Sequence, residues 1–310
     1  MNDKYYEHDT PAAEWVEQST KHALDELFNA TYAYRSSKEF HDLIQFVRRF
    51  HFYSPYNALL IHIQRQGAVY VAPPHRWERE YGRKVKPNAN PIVILQPMGP
   101  VMFVFDVGDT EEGPHAAPLP DRVVKPFAVS GGSMNNELEL TEDNATRDGI
   151  RIHGHKTGSQ RAGSIQCVDG RHLPPLVYEY GKDNDGNRRR YLVPLRDELL
   201  INREQELESR YATLVHELAH LYLGHLGTPN KKWWPDRQGL SKSAVEFEAE
   251  TVSYLVCSRI GISTSSEAYL SGYFGKHENI PRISLECLMK AAEIIESMGR
   301  KRLKPRKASD

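Results

Sequence analysis

Apolar residues recur at helical spacing twice near the start of the chain, over residues 12–31 and 37–51. In the second stretch they are Phe40, Leu43, Ile44, Val47 and Phe50. Positions three and four apart share one face of a helix, so both stretches predict amphipathic helices. A third helix is expected after SPYN (54–57): Pro55 suits a first turn, where backbone N–H groups have no intrahelical acceptor, and ALLIHIQ continues it. The period then changes. VYVA (69–72), PIVILQP (91–97) and VMFVFDV (101–107) are short, rich in β-branched and aromatic residues, and bounded by Pro, Gly and Asn, which predicts strands.

From about 109 to 174 periodicity is weak, and EEGPHAAPLP, SGGS and HKTGSQRAGS interrupt it as a long connection or irregular insertion would. A boundary near residue 130 divides the chain into regions 1–130 and 131–310. Order returns with LVYEY (176–180), DNDGN (183–187) and RYLVPL (190–195), a strand, turn and strand that predict a hairpin. DNDGN lacks the twelve-residue ligand schedule of a calcium loop, and no Gly-Lys-Ser/Thr follows SGGS to make a phosphate loop. Helical spacing resumes with Leu207, Tyr211, Leu214, Leu218 and Leu221, ended by Gly224 and Gly227. It recurs over 243–261 with Val245, Val252, Leu255 and Val256, ended by Gly261, and again with Leu285, Leu288, Ala292 and Ile295. Strands and helices segregated in this way predict an α+β fold. The closing segment RKRLKPRK (300–307) reads as a solubilising end or an auxiliary phosphate contact.

Composition narrows the class without naming a partner. A chain of 310 residues is long enough for two domains, and a net charge of -1 with 26% charged residues describes a globular protein, excluding a histone-like coat. Cys167, Cys257 and Cys287 are far apart and form no CxxC, so neither a disulfide framework nor a thiolate zinc site is indicated. The first thirty residues contain Asp3, Glu7, Asp9 and Glu14 and no apolar signal core, and no run reaches membrane-spanning length. A cytoplasmic, unanchored protein is the expectation.

Within the helix over 207–221 stands His216-Glu217-Leu218-Ala219-His220. Residues i and i+4 differ by about 40° around a helix axis, so both imidazoles project to one side and offer two ligands to one Zn2+ ion. Glu217, about 100° from His216, stands beside such an ion, where it could take a proton from water. Chance produces these five letters in about one chain in twenty of this length and composition, so context has to decide. A catalytic site needs a third protein ligand, and the HExxHxxGxxH spacing that would supply a histidine is absent. His225 reads more readily as a capping or surface residue. On the helix over 243–261, Glu248 falls inside the apolar stripe, and a carboxylate there needs a partner. Zinc is the expected partner, which makes Glu248 the third ligand; the alternatives are an arginine partner or a helix rotated so that Glu248 is solvated, and Glu250 and then Glu246 are the reserve ligands.

HELAHLYLGHLG followed by EFEAETVSYLVCSRIGI resembles the ImmA/IrrE-like zinc metallopeptidases. That resemblance implies a compact zincin-like domain, His216 and His220 as ligands, Glu217 as general base, Glu248 as third ligand, and a protein or peptide substrate. One departure is that Val252 occupies the position, four residues after Glu248, where such sites carry an Asp that orients a histidine. Tyr211, Tyr254, Tyr269 and Tyr273 are candidate donors to a tetrahedral oxyanion. Upstream, YSPYNALLIHIQRQGAVYVAPPHRWEREYGRKVKPNANPIVILQP (53–97) resembles the N-terminal domain of ArdC-type antirestriction proteins, which implies single-stranded DNA binding. Arg48, Arg49, Arg65, Arg76, Arg83 and Lys84, interleaved with Trp77 and other aromatics, match that chemistry. A solvated basic face over an ordinary aromatic core is the competing reading. The alternative to a peptidase is therefore an antirestriction or DNA-binding protein whose metal site is structural or inactive.

Overall fold

The stripe of Phe40, Leu43, Ile44 and Val47 is buried on a helix, as its spacing predicts, but this helix belongs with the C-terminal half of the chain. In the computed structural model, residues 34–96, 99–114, 116–119, 134–155 and 162–306 are described. The expected helix over 12–31 and the boundary near 130 lie outside them. The described residues form two compact units. One contains Tyr34 and the residues from 57 to 119; the other contains residues 35–56 and those from 134 to 306. Residues 35–56 cluster with the C-terminal residues because their apolar stripe finds its partner, Phe247 against Phe40, far downstream.

In chain order the helices are α1 (Ser37–Arg49), α2 (Pro55–Gln64), α3 (Pro74–Tyr81), α4 (Glu137–Arg147), α5 (Leu207–Tyr222), α6 (Lys242–Arg259), α7 (Ser265–Phe274) and α8 (Leu285–Arg300). The strands are β1 (Val71–Ala72), β2 (Arg83–Val85), β3 (Ile92–Gln96), β4 (Gly99–Asp106), β5 (Thr110–Glu112), β6 (Ile150–His155), β7 (Gly163–Cys167), β8 (Leu176–Lys182), β9 (Arg188–Val193) and β10 (Asp197–Asn202). The class is α+β.

The first unit is a three-stranded antiparallel sheet, ordered β1-β4-β3, with the small β2-β5 pair. Its outer edge at β3 is closed by side chains. Asn57 donates to the Leu95 carbonyl and accepts from the Leu95 N–H at 3.0 and 2.9 Å, and Gln64 does the same for Val93 at 2.8 and 2.9 Å. Seven residues apart, the two amides lie two turns along one face of α2 and imitate a neighbouring strand, which removes a sticky edge.

In the second unit β10 is central, parallel to β6 and antiparallel to β7, and α5 packs beside β7 and β10. β8 and β9 pair as the expected hairpin, with the Asp183 carboxylate accepting from the N–H groups of Asp185 and Asn187 across the turn. Tyr211, Leu214, Leu218 and Leu221 bury the inner face of α5, whereas Leu207 is exposed at its start. Gly224, at φ 80°, turns the chain after α5; a Cβ there would lie 2.1 Å from the Pro235 carbonyl. Among the described residues no helix is long and apolar enough to cross a membrane.

Two buried charged clusters tie the ends of this unit to its core. Arg259 pairs with Glu296 and donates to the carbonyls of Val47 and Tyr53, joining α6, α8 and the end of α1. Arg259→Ala leaves Glu296, among the described residues, with the exposed Arg300 as its ion-pair partner. The expected loss is about 3–5 kcal/mol, read as a lower urea midpoint.

The second cluster corrects the reading of the basic tail. Residues 301–306 form a docked strap: Arg302 pairs with Asp143, Leu303 accepts from Tyr178, and Arg306 meets Asp148 at 2.6 Å while lying over Trp233 and Trp234. Asp148 is fully buried and also accepts from Tyr222 and Arg147. Burial alone would raise its pKa, but the Arg306 hydrogen bond and the Arg147 and Arg306 charges outweigh burial and hold it below its ordinary 3.8. A depressed folded-state pKa contributes stability that is complete above the unfolded value and is lost as pH falls through the folded one. Stability is therefore expected to fall on acidification below about pH 4. Asp148→Asn should lower the neutral-pH melting temperature and flatten that acid limb.

Candidate metal centre

The site begins with α5, whose apolar face fixes its rotation and leaves His216 and His220 half-buried at its edge. Their Nε2 atoms stand 3.2 Å apart with the rings in an edge-on arrangement, so both point at one place. α6 runs against α5 and supplies carboxylates. Glu246 Oε2 lies 3.8 Å from His216 Nε2, and Glu250 Oε1 lies 3.7 Å from His216 Nδ1. His216, His220 and Glu246 each offer one ligand atom, all within 4.8 Å of one another. Two imidazoles and a carboxylate form a donor set that suits Zn2+ and other borderline divalent ions.

Glu248 is not in this group. Its carboxylate is completely buried and pairs with Arg237 through two bonds of 2.7 and 2.8 Å; it also meets His225 Nε2 at 2.9 Å and accepts from the Ser284 N–H at 2.9 Å. Burial would raise its pKa, but the hydrogen bonds from His225 and Arg237 and the Arg237 charge prevail and hold it below the usual carboxylate range. Glu248, expected as the third ligand, has Arg237 as its partner instead. The helix is the expected one, and the residue facing the histidines lies two positions earlier. Glu250, four residues after Glu246, faces the far nitrogen of His216.

Glu217 lies beside the histidines, with the backbone N–H of Ile165 on β7 donating to its carboxylate. Burial raises its pKa, opposed by His216 and reinforced by Glu246. β7 approaches this closely because residue 163 is glycine: a Cβ there would sit 2.5 Å from Thr213 Cγ2 and 3.3 Å from Glu217 Cγ. His220 is held neutral down to low pH, its pKa pushed to about 3 by burial first and by the neighbouring His216 and His225 next. It keeps the lone pair that ligation requires.

His225 is also placed differently from its reading as a cap or surface residue. Its side chain is nearly buried, with Nδ1 3.0 Å from His220 Nδ1 and Nε2 on Glu248. Among the tyrosines, Tyr211 is buried and Tyr254 accepts from Gln45 and Arg48, whereas Tyr273 stacks on His277. Tyr269 is 39% exposed, and burial first and the charges of Glu250 and Glu246 next raise its pKa.

Of the expected DNA-binding residues, the one aromatic is core rather than an exposed stacking ring. Trp77 has no exposed surface; its Nε1–H donates to the Phe105 carbonyl and its ring packs edge-on against Tyr70. Phe50, Tyr56, Tyr70 and Tyr81 are likewise core. Arg65 pairs with Asp109, Arg76 with Glu80 and Arg83 with Glu112, while Lys84 is exposed. Arg48 and Arg49 belong to the other unit, where Arg48 reaches Tyr254 and Glu267, and Arg49 lies over Phe46.

No protein-family model and no curated protein matches the chain. Two solved structures are similar to it, both titled as the antirestriction ArdC protein from the R388 plasmid. The metal-free form is 16% identical with a TM-score of 0.30, and the alignment covers 79% of this chain and 82% of that one. The Mn(II)-bound form is 17% identical with a TM-score of 0.33, covering 80% and 84%.

Proposed function

We propose that the chain is an antirestriction-type protein whose second unit holds one divalent cation, Zn2+ or a similar ion, on His216, His220 and Glu246, and hydrolyses an amide bond in a protein or peptide. The convergence of those three side chains beside Glu217 carries the reading. The ion, when bound, would supply polarisation of a carbonyl and a lower pKa for water.

The chain's own groups divide the remaining work. Glu217, with its pKa raised by burial, takes the proton from the attacking water and returns it to the leaving amine. Ile165, through its N–H, holds the Glu217 carboxylate in place, and Gly163 lets strand and helix approach. Glu250 faces His216 Nδ1 and orients that ring. Tyr269, the tyrosine that feels the charges of Glu250 and Glu246, is the candidate donor to a developing oxyanion. Metal analysis of the purified protein, followed by cleavage of a fluorogenic peptide library with and without a chelator, tests this reading. Metal-dependent cleavage supports it, and a metal-loaded protein that cleaves nothing removes the hydrolytic half.

In a second reading the centre is kept but the hydrolysis is not: the protein acts by occupying single-stranded DNA or a protein partner. It is supported by the sequence resemblance of residues 53–97 to ArdC-type N-terminal domains. Binding of labelled single-stranded DNA that is unchanged by Glu217→Gln would favour it.

A further inference from the structure

We infer that His225 and Glu248 form a relay that fixes the tautomer of His220 and thereby holds its Nε2 ready for the cation, making His225 a positioning residue. This rests on reading His216, His220 and Glu246 as the metal-holding set. The inference starts at the buried end. Glu248 receives Arg237 on both oxygens, the Ser284 N–H on Oε1 and His225 Nε2 on Oε2. An ionised carboxylate only accepts, so His225 must carry its proton on Nε2. A neutral imidazole then has a lone pair on Nδ1, and the group 3.0 Å from it is His220 Nδ1. His220 must therefore donate from Nδ1, which places its own lone pair on Nε2, the atom 3.2 Å from His216 Nε2. With His225 taken as neutral, each proton position follows from the one before it.

The arrangement extends the usual outer partner of a ligand histidine by one residue, with an imidazole inserted between the ligand and its carboxylate. It also gives the buried Glu248–Arg237 pair a consequence beyond packing, since Arg237 keeps Glu248 an acceptor.

The test uses the full chain with Zn2+ as the probe. In the zinc-loaded parent, long-range proton–nitrogen NMR of the imidazoles should show Nδ1–H on His220 and Nε2–H on His225. His225→Leu should weaken Zn2+ affinity by about 10–100-fold. His225→Gln, whose amide can accept from His220 and donate to Glu248, should recover most of it. Reversed tautomers in the zinc-loaded parent, parent-like affinity in the Leu variant, or a Gln variant as weak as Leu would each overturn the relay while leaving the metal centre standing. A parent protein that takes up no Zn2+ overturns the centre and the relay together. If the Leu variant fails to fold, the parent NMR measurement decides alone.

Discussion

Replacement of His216 or His220 by Ala is expected to weaken divalent-cation binding by roughly two orders of magnitude or more. A complete protein ligand set binds zinc with about 10 kcal/mol or more, so one of three ligands carries about 3 kcal/mol, and each 1.4 kcal/mol is tenfold. Glu246→Ala should fall in the same class, because its carboxylate is the third member of the group. Isothermal titration with Zn2+ measures all three. Glu248→Ala belongs to another class. It leaves Arg237 buried without its partner, so its main effect should be a loss of folding stability, with any loss of affinity smaller. Equal losses of affinity at Glu246 and Glu248, with stability unchanged at both, would mean that the ligands had been assigned to the wrong face of α6.

The second large effect is expected at Glu217. Glu217→Gln keeps the size and hydrogen-bonding reach of the side chain but removes the group that takes a proton. Hydrolysis should fall by about 10²–10⁴-fold, the usual contribution of a positioned general base. Zn2+ affinity should stay within a few-fold of the parent, since Glu217 is not among the three converging ligand atoms. This pairing of lost turnover with retained metal separates a hydrolytic centre from a structural one. A Gln variant that cleaves as well as the parent would assign the proton transfer elsewhere.

The two histidines were legible because a short-range rule places them: four residues on a helix determine a common side whatever the rest of the chain does. The carboxylate that faces them was harder to assign for a specific reason. α6 is buried on most of its circumference, from Ala244 through Arg259, so its apolar pattern hardly distinguishes the face toward α5 from the face toward the rest of the core. Glu248 was correctly recognised as a buried acid needing a partner. The partner, Arg237, comes from an irregular loop whose path no periodicity describes. Glu246 and Glu250 share the i, i+4 spacing of the histidine pair, and that matched spacing is the signal the sequence reading left unused. His225 was misread because its surroundings are supplied by α6, which is distant in sequence.

In the first unit, strands β3 and β4 follow from β-branched and aromatic runs, but the roles of Trp77 and the arginines do not. A mixture of cations and rings in sequence is the same whether the rings stack on bases or fill a core. Only burial distinguishes the two, and Trp77 is in the core. The tail shows the same limit, since a basic run was read as solvated when its partners, Asp143 and Asp148, lie more than 150 residues away.

The most direct measurement is anomalous diffraction at the zinc edge from crystals of the zinc-loaded chain. The expected result is one peak about 2.0–2.2 Å from His216 Nε2, His220 Nε2 and a Glu246 carboxylate oxygen, with Glu248 still paired to Arg237. A peak bound to Glu248, or no peak between the two histidines, would contradict it.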